Sequence, residues 1–541
     1  ASSEYGANTL GGVVNIISKD IKDTAALTVS VAFGDNNTIY SDIFAGRRFG
    51  NLGLMLGLNY GKSDGYSLSR DHEPNINEDG GLRENSDYEK LGTTLRIEYQ
   101  PVKNSTIALS NYYFSGEKGL PWDEEAEKSS PTRVFNEPRY WRFSEFLKNI
   151  TALDFNIMFD KVLIKEKIYY IKTDNTLDMY LDSECEELAE TDTFDDFTFG
   201  HKFGLVIFTD ENSEFSFGFS SKKDVHKKTA DSFIYDEIEY DRIGLETYTV
   251  YAENRTYFFD DSLYIQLGMN YDTVRSLGYK TWEEGDTDIE EFDSKAIDSY
   301  NPNLLVSWNV FKHLTIGAAV QKKTHYPSMN QMANNLDLGL DITELRPESS
   351  VNKEVFIQGK IEKYSAKVSV YHYKINDLIE RNGKNFPYFN LQSAVINGSE
   401  ISVAGRPWEI FSFNLSYSMI NPVSTTSLEN PGGYIEELPY TPKSVFMLGL
   451  NFSFLVDLNI NLRVHQQSYE YFNVADYGDP DIWVKEEIPP FSIVDLRLQK
   501  TFLEHYSAFI IVRNLLDTNY YEESYFPAPG LNWQVGLKYD F

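Results

Sequence analysis

The side chains of this sequence that are best suited to hold a small ligand are aromatic residues set in polar segments. Aromatic rings supply a large contact area, and they stack on the ring of a chelator or on the face of a sugar. Such residues also anchor membrane interfaces or pack within loops, and the sequence leaves both interpretations open. The aromatic candidates for ligand binding are Trp122, Tyr140, Trp141, Trp282, Tyr326, Tyr440 and Trp483.

Soft metal donors occur together in one segment, Thr324–Met332. His325, Met329 and Met332 combine an imidazole with two thioethers, and such a set suits copper or haem iron. We therefore count His325 among the candidates for ligand binding. A structural role for these residues is the alternative, and it is the one that the sequence favours.

Two acidic runs provide oxygen atoms of the kind that calcium prefers. The first run lies between Asp182 and Asp196, and the second lies between Glu283 and Asp293. The second run lacks the glycine that an EF-hand loop needs at its sixth position. Solvated loop surfaces are therefore the favoured interpretation of both runs. The weak candidates for a metal site are Glu283, Asp286, Asp288 and Glu290.

Catalytic chemistry has little support in the sequence. The eight histidines are scattered, and neither a G-x-S-x-G nor an H-E-x-x-H motif nor a phosphate-binding glycine loop occurs. The single cysteine, Cys185, lies in the first acidic run without a neighbouring histidine. We therefore predict that the chain is not an enzyme and holds no cofactor.

Composition narrows the class of protein further. The 541 residues include 49 basic and 82 acidic side chains, and the resulting charge of −33 argues against binding to nucleic acid. The single cysteine excludes a disulfide framework. No stretch approaches the run of about eighteen apolar residues that a membrane helix needs.

The elements that must position these residues have the periodicity of strands. From Val456 to His465 apolar side chains alternate with polar ones, so all charges lie on one face. The same alternation occurs in Leu27–Gly34, Leu52–Asn59 and Phe411–Ser418. Helical periodicity is almost absent, and the chain is therefore predicted to be all-β.

The connections between the predicted strands alternate between short and long. Ten short turns, such as Gly46–Asn51 and Phe159–Val162, separate longer polar connections. The longer ones include Lys62–Lys90, Thr173–Asp196 and Arg275–Ser299. Ten short turns and eleven longer loops join 22 strands. Each strand then has roughly 23 residues including its connection, which suits membrane strands of about ten residues.

A closed antiparallel barrel explains both patterns. In hydrocarbon every backbone donor and acceptor needs an internal partner, so a sheet spans a bilayer only when it leaves no edge. Tight turns at one end and long loops at the other are expected of such a barrel. We predict a 22-stranded antiparallel transmembrane β-barrel. A soluble propeller or a pair of sandwiches is the alternative, but it gives no reason for the alternating connections.

Motifs at both ends of the chain agree with this fold. The chain ends in a predicted strand at Phe541, and Val512–Tyr520 reads VRNLLDTNY. Tyr5–Lys19 reads YGANTLGGVVNIISK, and Leu345–Ser350 reads LRPESS. These segments resemble the C-terminal signal, the NLxDxxY motif, the end of the plug and the LxPExS motif of TonB-dependent outer-membrane receptors.

The resemblance implies a domain organisation. Residues 1–24 correspond to the C-terminal end of a plug domain, and residues 25–541 correspond to the transmembrane barrel with its long extracellular loops. Members of the family carry a signal peptide, a TonB-contacting box and a complete plug ahead of the barrel. We therefore expect this chain to be a piece of a longer receptor.

The resemblance also implies a function. Receptors of this family capture a scarce nutrient at the bacterial outer membrane and release it when the TonB complex of the inner membrane remodels the plug. We expect a ferric siderophore or another metal chelate as substrate, outer-membrane lipid as surroundings, no nucleic-acid partner and a monomer. A haem substrate is less expected, because Ser328–Leu345 lacks the histidine that haem-transporting relatives place there. A cobalamin or oligosaccharide importer of the same architecture, and a β-rich surface binding module or adhesin, are the alternatives.

Overall fold

The computed structural model describes residues 3–6, 8–16, 18–75, 77–124, 138–284, 290–292, 296–337, 345–381, 387–424, 436–475 and 483–541. Most of these residues lie in β-strands. The described helical elements are the 3₁₀ turn Ser3–Tyr5 and the helix α1, Met329–Asp337. Neither is long and apolar enough to cross a membrane.

The strands follow one another in chain order. They are β1 (Ala26–Gly34), β2 (Ile39–Phe49), β3 (Leu52–Ser63), β4 (Tyr88–Tyr99), β5 (Ser105–Leu120), β6 (Tyr140–Phe159), β7 (Val162–Tyr180), β8 (Leu188–Asp210), β9 (Ser213–Ser232), β10 (Glu237–Phe258), β11 (Leu263–Glu283), β12 (Glu290–Phe292), β13 (Ala296–Phe311), β14 (Leu314–His325), β15 (Glu348–Ile361), β16 (Tyr364–Arg381), β17 (Tyr388–Trp408), β18 (Phe411–Ser424), β19 (Glu436–Glu437), β20 (Ser444–Phe454), β21 (Leu458–Gln467), β22 (Glu470–Ala475), β23 (Trp483–Ile488), β24 (Phe491–Phe502), β25 (Tyr506–Arg513), β26 (Tyr521–Glu523), β27 (Phe526–Pro527) and β28 (Asn532–Asp540).

Twenty-two of these strands form one closed antiparallel barrel. The short strands β12, β19, β22, β23, β26 and β27 lie in the connections. The barrel closes where β28 pairs with β1, from Gln534 opposite Gly34 to Asp540 opposite Thr28. Since the first and last barrel strands pair, the sheet has no free edge, as a hydrocarbon environment requires. The predicted strand number and topology are confirmed.

Side chains alternate between the two faces of the barrel wall. In β3, Leu52, Leu54 and Leu56 are 40%, 39% and 51% exposed on the outside, whereas Gly53 and Met55 between them are buried. A soluble protein buries its apolar face and exposes its polar one. Here apolar side chains cover the outside and many polar ones are buried inside, which is the arrangement expected of a barrel in lipid.

The ten predicted short turns are all present, and each is two to five residues long. Several of them need a left-handed residue, such as Asp160 (φ 46°), Glu362 (φ 47°) and Asp457 (φ 56°). Tight hairpin turns favour positive φ because it matches the twist of the flanking strands. The turn end of the barrel is therefore compact.

Some of the predicted long loops are wrong, because the strands continue through them. β7 and β8 extend to Tyr180 and from Leu188, so most of Thr173–Asp196 is a hairpin. β11 likewise extends to Glu283. The predicted strand length of about ten residues is also too short for these hairpins, since β8 has 23 residues. Polar cross-strand pairs, such as Lys172 Nζ to Asp195 Oδ1 at 2.6 Å, stabilise them beyond the apolar belt.

The N-terminal segment lies against the inside of the wall. The backbone N–H of Ser3 donates to Glu253 Oε2 of β10 at 2.9 Å. The backbone N–H of Asn8 donates to the carbonyl of Thr324 in β14 at 2.9 Å. Assignment of residues 1–24 to a plug domain stays a prediction.

Candidate functional site

A cavity of about 870 Å³, which we call the mouth cavity, opens at the long-loop end of the barrel. Its walls come from the β3–β4 connection, the adjoining ends of β5 and β6, and the turn between β7 and β8. The lining residues are Asn75, Asn77, Glu78, Asp79, Glu84, Asn85, Asp87, Trp122, Tyr140, Arg142, Tyr180, Ser183, Glu184 and Cys185.

Two of the predicted ligand-binding residues meet in the mouth cavity. Trp122 follows β5 and Tyr140 begins β6, so the pairing of these strands brings the two residues together. Their rings contact edge to face, with centroids 4.9 Å apart and an interplanar angle of 82°. The indole N–H of Trp122 donates to the carbonyl of Asn77 at 2.9 Å. Each residue is 5% exposed, and both line the mouth cavity.

A buried ion pair holds the β3–β4 connection beside this aromatic pair. Arg83 and Glu78 are each 1% exposed and bonded to each other, and Arg83 also donates to the carbonyl of Trp122. Buried charges are costly unless they are paired and hydrogen-bonded. These contacts therefore tie the connection to the residue that carries the indole, and Arg83 positions Trp122.

Two neighbouring carboxyl groups in this connection differ in protonation. Burial and the hydrogen bond with Glu78 raise the pKa of Glu84 to about 8. Burial also acts to raise the pKa of Glu78, but hydrogen bonds from Glu84 and Arg83 outweigh burial and lower that pKa. At neutral pH Glu84 is therefore protonated while Glu78 is ionised.

An arginine on another part of the wall is held in a fixed orientation. Arg142 of β6 donates to both carboxylate oxygens of Asp87, at 2.9 and 2.7 Å, and to Asn85 Oδ1 at 2.8 Å. The hydrogen bond from Arg142 lowers the pKa of Asp87, so this carboxyl is ionised. A two-pronged contact of this kind fixes the guanidinium plane. Arg142 is the one cation among the described lining residues.

Three carboxyl groups come together at the edge of the mouth cavity. Ligand atoms of Glu78, Asp79 and Glu84 lie within 4.8 Å of one another, and this is the one such group among the described residues. Hard oxygen atoms of this kind suit calcium or magnesium. The cavity thus combines an acidic wall, a ring edge and an oriented guanidinium, and it can hold a polar ligand by hydrogen bonding and ring contact.

The sequence matches a family model described as TonB dependent receptor-like, beta-barrel, over residues 19–515. The chain belongs to the TonB-dependent receptor family. The resemblance of its motifs is confirmed by this match and by the barrel. The family comprises transporters and receptors of the bacterial outer membrane, which is not a class of enzymes.

Solved receptor structures share this fold at low sequence identity. The copper transporter OprC is 14% identical with a TM-score of 0.78, and the match covers 97% of this chain and 81% of OprC. The ferric yersiniabactin uptake receptor FyuA from Yersinia pestis is 14% identical with a TM-score of 0.77, covering 99% and 83%. The ferric citrate transporter FecA in the unliganded form is 15% identical with a TM-score of 0.77, covering 100% and 82%. No curated protein sequence matches the chain.

Tyr326, a predicted ligand-binding residue of the receptor, lies in a buried polar cluster of the inner wall. It is 2% exposed, and its hydroxyl donates to Ser299 Oγ at 2.8 Å and to the carbonyl of Asp272 at 3.2 Å. Its backbone N–H donates to Asn8 Oδ1 of the N-terminal segment at 2.8 Å. His325 precedes it at the end of β14, opposite Glu348 of β15. Ligand binding by these two residues stays a prediction.

The remaining aromatic candidates lie in other parts of the receptor's long-loop end. Trp141 lies beneath Arg139, with the guanidinium carbon 4.8 Å from the ring centroid. Trp282 of β11 stacks on Tyr240 at 5.4 Å. Tyr440 is 49% exposed and is therefore more open to a ligand than the pair in the mouth cavity. Trp483 begins β23, and its side chain lies outside the described part of the chain.

The weak metal candidates are only partly described. Glu283 is exposed at the end of β11. Glu290 lies in β12, but its side chain is not among the described parts of the chain. Asp286 and Asp288 lie outside the described residues altogether. The proposed metal role of this acidic run therefore stays a prediction.

Sequence reasoning missed the polar half of the mouth cavity. Glu78, Arg83 and Glu84 lie in the β3–β4 connection. Arg142 lies in β6, and its proximity to them depends on the pairing of β4, β5 and β6. One signal for this ion pair was available in the sequence. Residues 77–85 read NEDGGLREN, in which Arg83 follows Glu78 by five positions among other acidic residues. That spacing by itself does not distinguish a solvated loop from a buried ion pair.

Proposed function

We propose that this chain is the barrel of a receptor that imports a ferric siderophore across the bacterial outer membrane, with energy supplied through TonB. The observation that carries the proposal is the mouth cavity above a closed 22-stranded barrel. A cavity of about 870 Å³ is in the size range of small-molecule sites. Membership of the receptor family supports the role of TonB.

The similar solved structures support a metal chelate as the class of substrate. Those proteins are an uptake receptor for ferric yersiniabactin, a ferric citrate transporter and a copper transporter. The mouth cavity offers Trp122 and Tyr140 as a ring contact and Arg142 as a hydrogen-bonding group for an oxygen-rich chelator. We propose that the receptor acts as a monomer, because the closed barrel leaves no unpaired strand edge for a second copy.

A comparison of growth tests the substrate class. A strain that lacks the gene is compared with its complement under limitation for iron, cobalamin or an oligosaccharide carbon source. We expect a growth defect only when iron is supplied as a chelate. A defect confined to cobalamin or to the oligosaccharide would replace the siderophore by that nutrient, and the absence of any defect would favour a surface binding module.

Two tryptophan variants, one in the mouth cavity and one remote from it, test the cavity itself. Trp122→Ala should weaken chelate binding about fivefold, since an aromatic contact contributes about 1 kcal/mol. Trp408→Ala is the control, because Trp408 is 64% exposed beside a short turn at the other end of the barrel. Binding of the labelled chelate to intact cells is the measurement. Equal affinities for the two variants would remove the mouth cavity from the proposal.

A further inference from the structure

A second cavity, of about 490 Å³, lies on the inner wall where β28 closes the barrel against β1. Its charged lining residues include the single carboxylate of Asp42. The cations, which we call the cationic lane, are Lys90, Arg497, Arg513 and Lys538. The chain as a whole has a charge of −33, so this concentration of positive charge runs against the overall composition.

Three of the four cations in this lane form no ion pair with a described residue, although Arg513 interacts electrostatically with Asp35. Among the described residues Lys538 forms an ion pair, with Asp540 at 2.6 Å, whereas Lys90, Arg497 and Arg513 form none within 4.0 Å. The Asp42 carboxylate accepts a hydrogen bond from Ser30 at 3.2 Å.

Neutral groups hold two of the cations in place. Arg497 donates to Gln499 Oε1 at 3.0 Å and lies 5.4 Å from the centre of the Phe509 ring. Lys90 lies 5.1 Å from the ring centre of Tyr88. Rings orient a cation without neutralising it. The lane therefore presents preformed positive charge to the lumen.

The lane extends along the wall from the long-loop end toward the turn end. Arg513 pairs with Asn532 at one end of β25, and Lys538 pairs with Ser507 near the other end. Six residues of strand separate these two levels, which corresponds to about 20 Å. Arg497 pairs with Ile511 and lies between them.

The upper end of the lane continues toward the long loops. Arg513 also lines an adjoining cavity of about 270 Å³, together with Tyr66 and Tyr520. The carboxylates of that cavity are engaged by backbone groups, since Asp495 accepts from the N–H of Asn514 at 3.0 Å and Asp35 accepts from that of Trp533 at 3.3 Å. The lane therefore connects the loop end of the lumen with its deeper part.

The contacts of Ser3 and Asn8 with Glu253 and Thr324 lie on the far side of the ring, on β10 and β14. Ile21 and Lys22 instead contact Arg48 of β2 at the turn end, since their carbonyls accept from its side chain and backbone N–H. We propose that the cationic lane binds a chelate that carries several carboxylates as it passes down the lumen; this inference rests on the proposed import function. Cations lining a groove focus the field and raise the local concentration of anions. A row of separate sites also lets an anion bind without being trapped.

Citrate serves as the probe of the lane. The chain is reconstituted in a planar lipid bilayer, and the reversal potential in a KCl gradient and the reduction of current by citrate are recorded. The lane variant combines Arg497→Gln with Arg513→Gln. The control combines Lys202→Gln with Lys222→Gln, which removes the same charge from the inner face of β8 and β9.

The expected result is specific to the wall that carries the lane. Citrate should reduce the current of the unchanged chain and of the control. The lane variant should need about tenfold more citrate, because it lacks two of the positive charges that face the anion. The reversal potential should shift toward cation selectivity more in the lane variant than in the control. Equal shifts and equal citrate sensitivity in both variants, or no reduction of current by citrate in any of them, would overturn the inference.

Failure of the inference is distinguishable from failure of the import proposal. The bilayer measurement contains no iron and no TonB, whereas the growth comparison contains both. If growth depends on the chelate but citrate does not reduce the current through the barrel, only the proposed binding role of the lane is overturned. If citrate reduces the current through the barrel but the strain lacking the gene shows no growth defect, the import function is overturned. The transport role of the lane is then overturned with it.

Discussion

At the scale of single residues, Asp272 shows how the inner wall accommodates a buried carboxylate. Its side chain is fully buried and accepts hydrogen bonds from Thr249 at 2.6 Å, from Asn301 at 2.9 Å and from Asn270. A buried carboxylate is tolerated only when it is bonded in this way. The neighbouring Tyr326 contacts Asn8, so the cluster also supports the N-terminal segment.

Replacement of this carboxylate should destabilise the barrel. Asp272→Ala leaves the Thr249, Asn270 and Asn301 donors without their acceptor, and the expected loss is about 1–3 kcal/mol. The measurement is the temperature at which the barrel loses its heat-resistant migration on gels. Asp298→Ala is the matched control, because Asp298 accepts from Thr273 on an exposed part of β13. A loss as large in the control as in Asp272→Ala would contradict the assigned role.

Glu84 gives the mouth cavity a defined pH dependence. Its pKa is raised from 4.5 to about 8 in the folded chain, so the folded chain binds this proton more tightly than the unfolded chain does. The resulting stabilisation is present below pH 4.5 and is lost as the pH rises through about 8. Glu78 is ionised across most of this window, because its pKa is lowered.

Hydrogen exchange of the β3–β4 connection tests this dependence. Protection of residues 77–87 should fall as the pH rises from 6 to 9, after correction for the intrinsic exchange rate. Glu84→Gln keeps a neutral hydrogen-bonding group and should remove most of that fall. A variant with the same pH profile as the unchanged chain would assign the dependence to another group.

Residue types at the site were partly predictable from the sequence. Trp122 and Tyr140 stand out as aromatic residues in polar segments, and strand pairing brings them together. Burial was not predictable in the same way, since Trp122, Tyr140 and Tyr326 come from polar segments but are 5%, 5% and 2% exposed. The contacts that accompany this burial are distant in sequence, such as that of Trp122 with Asn77 and that of Tyr326 with Asn8.

At the scale of elements, the period of two determines which face of each strand meets lipid. In β11, Leu267 is 57% exposed, whereas the inward-facing Asn270 and Asp272 are 5% and 0% exposed. The sequence predicts this sorting because the face of a strand that contacts lipid carries apolar side chains. The length of the hairpins was less predictable, because beyond the bilayer a polar strand and a polar loop have similar composition.

Paired arginine variants in β11 test the assignment of faces. Leu267→Arg places a charge in the apolar belt and should cost roughly 2–4 kcal/mol if it lies near the midplane of the bilayer. Gln266→Arg places the same charge on the lumen side and should cost much less. Urea titration of folding into lipid vesicles gives both values. Equal costs would mean that the two faces are not lipid and lumen.

At the scale of the whole molecule, closure is the property that makes the chain a membrane protein. The pairing of β28 with β1 removes the last free edge, so all barrel strands are paired on both sides. The apolar outer surface can then lie in lipid. The sequence predicted the 22 strands from the count of turns, since every second connection is short. It did not predict the cationic lane, because Lys90 and Arg497 become neighbours only when the two ends of the sheet meet.

We propose that this barrel serves energised import of a ferric chelate. Uptake of radiolabelled iron from a ferric siderophore is measured in the strain lacking the gene, in its complement, and in the complement after deletion of TonB. We expect uptake in the complement and none in the other two strains. Uptake that is unchanged by loss of the gene, or that persists in the complement without TonB, would contradict the claim.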